Sequence, residues 1–275
     1  MKVGETITFT REVSASTGYG VYPVKLENLA LVDIVTDPPS APFSGAPVQR
    51  HFTFAAIKEG AAAVQFAKFR PWELPKALYE EVLPINVEPV DTELAAANLK
   101  VGAFTPFAPL DDDAKAVFKK AFAHLRGVDY EPLLAATQVV AGLNYIFAAN
   151  AMIVYPGAVS YPVLVRVYKS PSGDAKIVKF TSLGNPHRLG SFTDFAPIKP
   201  EQQAILDAAL KGFAGSGFTA DYVSTQLVSG MNYRFVGTQT LATKDPDKYP
   251  VLFTVYQPLS GPPVLTSVQK AYDLV

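Results

Sequence analysis

Cysteine is absent from all 275 residues, which excludes disulfides, thiolate metal sites and cysteine nucleophiles together. Histidine is almost as scarce. His51, His124 and His187 are too few for a histidine metal cage and leave a Ser-His-Asp constellation with few bases. His51 alternates with Phe52 and Phe54, His124 falls in the last turn of an apolar stripe, and His187 lies in an Asn-Pro-His-Arg link. None stands in a Gly-x-Ser-x-Gly or His-Glu-x-x-His context. An excess of charge is also missing: the formal net charge is −1, with no Lys/Arg run, so there is no basic face for nucleic acid or an anionic membrane. No segment approaches the roughly 18–20 uninterrupted apolar residues of a membrane helix. The opening residues set Ile7 and Phe9 between polar neighbours, which reads as a strand and not as a signal peptide. The expectation is a secreted, periplasmic or cell-surface protein whose leader is absent from this chain, with the cytoplasm as the alternative.

Apolar residues are plentiful, at 49% against 18% charged, enough to build packed cores. The length predicts two or three domains. Internal duplication defines two of them. Gly102-Ala-Phe-Thr-Pro-Phe-Ala-Pro109 returns as Gly190-Ser-Phe-Thr-Asp-Phe-Ala-Pro197, an offset of 88 residues. At the same offset Thr137-Gln-Val-Val-Ala-Gly-Leu-Asn-Tyr145 returns as Thr225-Gln-Leu-Val-Ser-Gly-Met-Asn-Tyr233, and Tyr161-Pro-Val-Leu164 as Tyr249-Pro-Val-Leu252. A constant offset over about 80 residues marks two copies of one unit. The expected boundaries are 1–90, a linker at 91–100, then 101–188 and 189–275.

Each copy opens on an amphipathic helix. Asp111, Asp112 and Asp113 supply a cap and negative charge at the positive helix end, a better reading of that acidic run than a metal site. Ala114, Val117, Phe118, Ala121, Phe122 and Leu125 follow at i, i+3, i+4 spacing; Pro200 and the stripe Ile205, Leu206, Ala209, Leu210, Phe213 repeat the pattern. Gly127 and Gly215 are placed to end the two helices. Strands are predicted at 133–140, 144–154, 161–169 and 176–181, with Ser-Gly turns at 172–173 and 260–261. One helix against an antiparallel meander is an α+β unit. Residues 1–90 show no helical stripe. Strands at 5–13, 24–31, 49–57, 61–69 and 78–87, separated by Gly/Pro/Ser clusters, predict an all-β sandwich.

Two sets of turns carry the functional reading. In the repeats, Gln138-Val139-Val140-Ala141-Gly142 precedes Asn144-Tyr145, and Gln226-Leu227-Val228-Ser229-Gly230 precedes Asn232-Tyr233. Small residues and glycine in a tight hairpin let backbone approach a cleft closely. Both stretches resemble the Gln-x-Val-x-Gly hairpin tip of the cystatins, and the order of glycine (Gly102, Gly190), helix and hairpin agrees. The resemblance implies that each tip, with its preceding glycine segment and a second hairpin, wedges into the cleft of a papain-like cysteine peptidase. Cystatins often carry Pro-Trp in that second hairpin; here it reads Ser170-Pro171-Ser172-Gly173 and Pro258-Leu259-Ser260-Gly261.

In the N-terminal unit, Thr17-Gly18-Tyr19 and Arg70-Pro71-Trp72-Glu73 stand in predicted loops, and Trp72 is the only tryptophan. A tryptophan is often a core residue, but its place between Pro71 and Pro75 favours an interface anchor. These loops resemble those of chagasin, an inhibitor family with an immunoglobulin-like sandwich and the same class of target. The resemblance adds a middle loop, usually Gly-x-Gly-Gly, which here departs from the pattern as Ser44-Gly45-Ala46-Pro47 and contributes Gly45. The resulting expectation is a multi-domain chain: an immunoglobulin-like all-β sandwich followed by two α+β cystatin-like domains. It implies a monomeric, non-enzymatic inhibitor without cofactor or metal. The alternative is a non-inhibitory cell-surface binding or adhesion module on the same scaffolds.

Overall fold

The computed structural model describes residues 1–14, 17–39, 46–73, 79–89, 102–154, 159–185, 190–243 and 247–275. The expected linker at 91–100, Gly45 and His187 lie outside these residues. The protein is β-rich, with several sheets and few helices.

Among the described residues, six strands build the N-terminal unit: β1 (Thr6–Ser14), β2 (Gly20–Glu27), β3 (Leu29–Thr36), β4 (Pro47–Ala56), β5 (Gly60–Phe69) and β6 (Tyr79–Val87). Strands β1, β4 and β3 pair antiparallel, as do β2, β5 and β6 in a second sheet. Alternating aromatic residues fill the space between them: Phe52 of β4 meets Phe66 of β5 edge-on at 5.1 Å, and both are fully buried. Removing one such ring costs about 3–5 kcal/mol. The single strand expected at 24–31 is two strands. Asn28 breaks it with φ 52°, a left-handed conformation that asparagine tolerates, and its side-chain amide donates to the Ala61 carbonyl at 2.7 Å.

The two repeats fold alike. In the first, β7 (Ala108–Pro109), α1 (Asp112–Phe122), β8 (Val128–Val140), β9 (Gly142–Ile153), β10 (Ser160–Lys169) and β11 (Ala175–Ser182) follow in order. In the second, the order is β12 (Ala196–Pro197), α2 (Pro200–Ala209), β13 (Ser216–Val228), β14 (Gly230–Leu241), β15 (Lys248–Gln257) and β16 (Val264–Lys270), closed by α3 (Ala271–Leu274). Even the irregularities recur 88 residues on: β8 bulges between Pro132 and Leu134 and β13 between Ala220 and Tyr222. The Asp111 side chain caps α1 by accepting from the Ala114 N–H at 2.7 Å. In α1, Ala114, Val117 and Phe118 bury against Phe147, Val163 and Val165 of the sheet. The helix ends differ from expectation. Past α2 it is Gly212 that holds the left-handed φ, 101°, whereas Gly215 is boxed against the Leu29 carbonyl of the N-terminal unit.

That contact belongs to an extensive junction. Strand β3 pairs with β16 through Ile34 and Val268, so one eight-stranded sheet runs from the N-terminal unit through the second repeat. A single apolar core spans both, from Leu29, Leu31 and Phe52 to Leu206, Phe235 and Phe253. The two repeats pack through their other faces, where Ile146 and Leu164 meet Val236 and Leu252. Near the Gly102 end of the first repeat, Phe104 stacks on Tyr272 at 5.5 Å, beyond the far end of the second repeat's strands. Conversely, Asn150, far along β9 from its hairpin turn, exchanges two hydrogen bonds with the Phe195 backbone near the Gly190 end of the second. The hairpin turns of the two repeats therefore face opposite ends of the pair.

Candidate functional site

The turn at the β8–β9 junction is held from three sides. Gly142 has φ 115°, a conformation open to glycine but strained for other residues, and a Cβ there would collide with the Lys169 carbonyl. The Tyr168 hydroxyl donates to the Ala141 carbonyl from the neighbouring hairpin. Gln138 sits at the base of the turn. Its amide donates to the Gly102 carbonyl at 2.6 Å, and its oxygen accepts from Asn144 at 2.8 Å. Gly102, with φ 88°, thereby lies beside the backbone of Val139. The glutamine, placed by its motif among the contacts, thus ties the glycine segment to the turn and is half-buried. Val139 is left 71% exposed, with Val140 and Ala141 exposed beside it.

The second repeat reproduces each bond. Gln226 donates to the Gly190 carbonyl at 2.9 Å and accepts from Asn232 at 3.0 Å, and the Tyr256 hydroxyl donates to the Ser229 carbonyl. Gly230 has φ 121° and is boxed by the Gln257 carbonyl. Leu227 is 71% exposed and Val228 and Ser229 are exposed with it. Burying one such side chain in a partner is worth about 1.5–3 kcal/mol.

In the N-terminal unit the two loops are brought together at one end of the sandwich. Arg70 organises them: its Nε donates to the Thr17 carbonyl at 2.8 Å, its guanidinium lies 4.2 Å from the Tyr19 ring centroid, and Nη1 binds Glu73 at 2.6 Å. That bond to Glu73 holds the guanidinium pKa above its ordinary value. Gly18, φ 71°, packs under Trp72, where a Cβ would fall 2.5 Å from the indole ring. Pro71 is buried, but Trp72 remains 40% exposed. Both roles of a tryptophan are thus combined in one residue, with a ring edge packed over Gly18 and much of its surface open to solvent.

One participant gives a weaker sequence signal. Leu259 is 85% exposed in the β15–β16 turn, beside Ser260, whose hydroxyl donates to the Trp72 carbonyl at 3.0 Å. The signal was a large apolar residue inside a Pro-x-Ser-Gly turn; its neighbour Trp72 is too distant in sequence to be anticipated.

Two loops pinned together at one end of the N-terminal unit thus present Trp72 to solvent. Residues 1–87 match the model of the chagasin family of peptidase inhibitors, I42. The match ends before the two repeats, and no curated protein matches the chain.

Proposed function

We propose that the chain is a reversible inhibitor of papain-like cysteine peptidases that occludes the active-site cleft with loop wedges. In this reading residues 1–90 form an immunoglobulin-like chagasin unit, and 101–188 and 189–275 are cystatin-like units. The family match at 1–87 supports inhibition for the first unit. The observation that carries the reading to the repeats is where the exposed apolar side chains stand. Trp72, Val139, Val140, Leu227 and Val228 are large, exposed and located in the turns that the motifs single out. Thr17, Gly18, Tyr19 and Arg70 complete the first contact surface with Pro71 buried behind them, and the chagasin resemblance assigns Gly45 to the same surface. Gly102, Gln138, Ala141 and Gly142 support the second, and Gln226, Ser229 and Gly230 the third. Apolar anchors on a turn pinned by hydrogen bonds are what an interface centre requires, since they lose little entropy on binding.

The test is steady-state kinetics of papain with the intact chain. The expected result is a raised apparent KM with kcat unchanged, reversed on dilution. Unchanged kinetics for papain and for a panel of related peptidases would contradict the proposal and leave the surface-binding module.

A further inference from the structure

The N-terminal loops and the second repeat's turns are not separate wedges. Leu227 lies beside Gly190, and Gly230 is boxed by Gln257 and Pro258, which open the β15–β16 turn. In that turn Ser260 donates to the Trp72 carbonyl at 3.0 Å, and Gly261 lies so close to the Pro71 carbonyl that no Cβ would fit. Trp72 in turn covers Gly18. The exposed residues Leu227, Val228, Leu259 and Trp72 therefore stand on three adjoining turns, which together form one ridge. Beneath it, the sheet that joins β3 to β16 and the shared core fix the two units in place. The first repeat's tip, with Val139 and Val140, has no such neighbour among the described residues and faces the opposite end.

On the inhibitory reading above, we infer that the ridge takes one peptidase across both units and the first repeat's tip takes a second, so that three inhibitory units bind two enzymes. A stable interface needs about 800 Å² and 20–30 residues on each partner. Turns whose backbones touch have no room for one enzyme each. A single enzyme on the ridge meets Leu227, Leu259 and Trp72 together, so affinity there depends on residues from both units. The first repeat has only its own turns to offer.

Titration of active-site-quantified papain with the intact chain is expected to give two enzymes per chain. The Val139→Asp/Val140→Asp chain is expected to bind one. In that background Trp72→Ala and Leu227→Asp should each raise the inhibition constant of the same remaining complex about 30-fold, the size of a hot-spot loss. Leu259→Asp serves as the second ridge variant, because its side chain is almost wholly exposed and its replacement is expected to change stability by no more than about 0.5 kcal/mol. Three enzymes per intact chain, or two in the double-aspartate background, would overturn the shared ridge. So would a remaining complex that responds to Trp72→Ala but to neither leucine variant. One enzyme per intact chain would overturn the second tip. No binding at all would overturn the inhibitory reading itself, and the inference with it.

Discussion

Gly142 and Gly173 both hold positive φ, but only Gly142 is boxed in. A Cβ on Gly142 meets the Lys169 carbonyl, whereas one on Gly173 meets nothing within 4 Å. Alanine at 173 should therefore cost about 1 kcal/mol of stability from backbone strain alone. Alanine at 142 should cost about 2–4 kcal/mol and displace the turn, a difference that urea unfolding of the two variants will resolve. The need for glycine at 142 was legible in the motif; the carbonyl that enforces it, from a different hairpin, was not. Gly215 shows the converse. Its place after an apolar stripe suggested a helix end, yet its constraint comes from Leu29 in another unit. Gln138 was legible as special, but its role as a tether depends on Gly102, which only the fold brings within 2.6 Å.

At the scale of elements, the two repeats differ in how the helix is fixed to its sheet. In the first, Asp113 of α1 binds Lys169 of β10 at 2.6 Å and accepts from the Tyr145 hydroxyl of β9 at 2.6 Å. Those bonds, Lys169 first and Tyr145 second, hold the Asp113 carboxyl below its ordinary pKa of 3.8. The second repeat has Glu201, Gln257 and Tyr233 at the equivalent positions, so this ion pair cannot form. A carboxylate whose pKa falls on folding stabilises the fold above its unfolded pKa, and that contribution is lost as pH drops through the folded value. Asp113→Asn should therefore destabilise the chain at neutral pH, and the gap from the parent should close on acidification below about pH 4. Denaturant midpoints across pH 2–7 check this; a gap independent of pH would contradict it. Helices α1 and α2, the acidic cap of α1 and most strands were legible from the sequence, whereas α3 was not. The break at Asn28 was not, because the apolar pattern continues through it and only the bond to Ala61 selects the left-handed turn.

At the scale of the whole molecule, the duplication was plain in the sequence, while the junction of β3 with β16 was hidden. Pairing between strands so far apart leaves no local signal. The junction is sealed by polar groups as well as apolar ones: fully buried Gln239 donates to the Leu31 carbonyl at 2.8 Å, and Ser216 donates to the same oxygen at 2.6 Å. Gln239→Leu leaves that oxygen with Ser216 as its donor, so it should cost only about 0.5–1.5 kcal/mol, the net worth of one hydrogen bond. Because the core is shared, Trp72 fluorescence should report the loss although Trp72 lies in the other unit; a tryptophan midpoint that does not move would contradict that coupling. The central claim, that the exposed turns are the peptidase-binding surfaces, is tested most directly by amide hydrogen exchange of the intact chain with and without saturating papain. The account predicts new protection at 17–19, 70–73, 138–142, 226–230 and 258–261 and little change along β11. Protection elsewhere, or none at these turns, would contradict it.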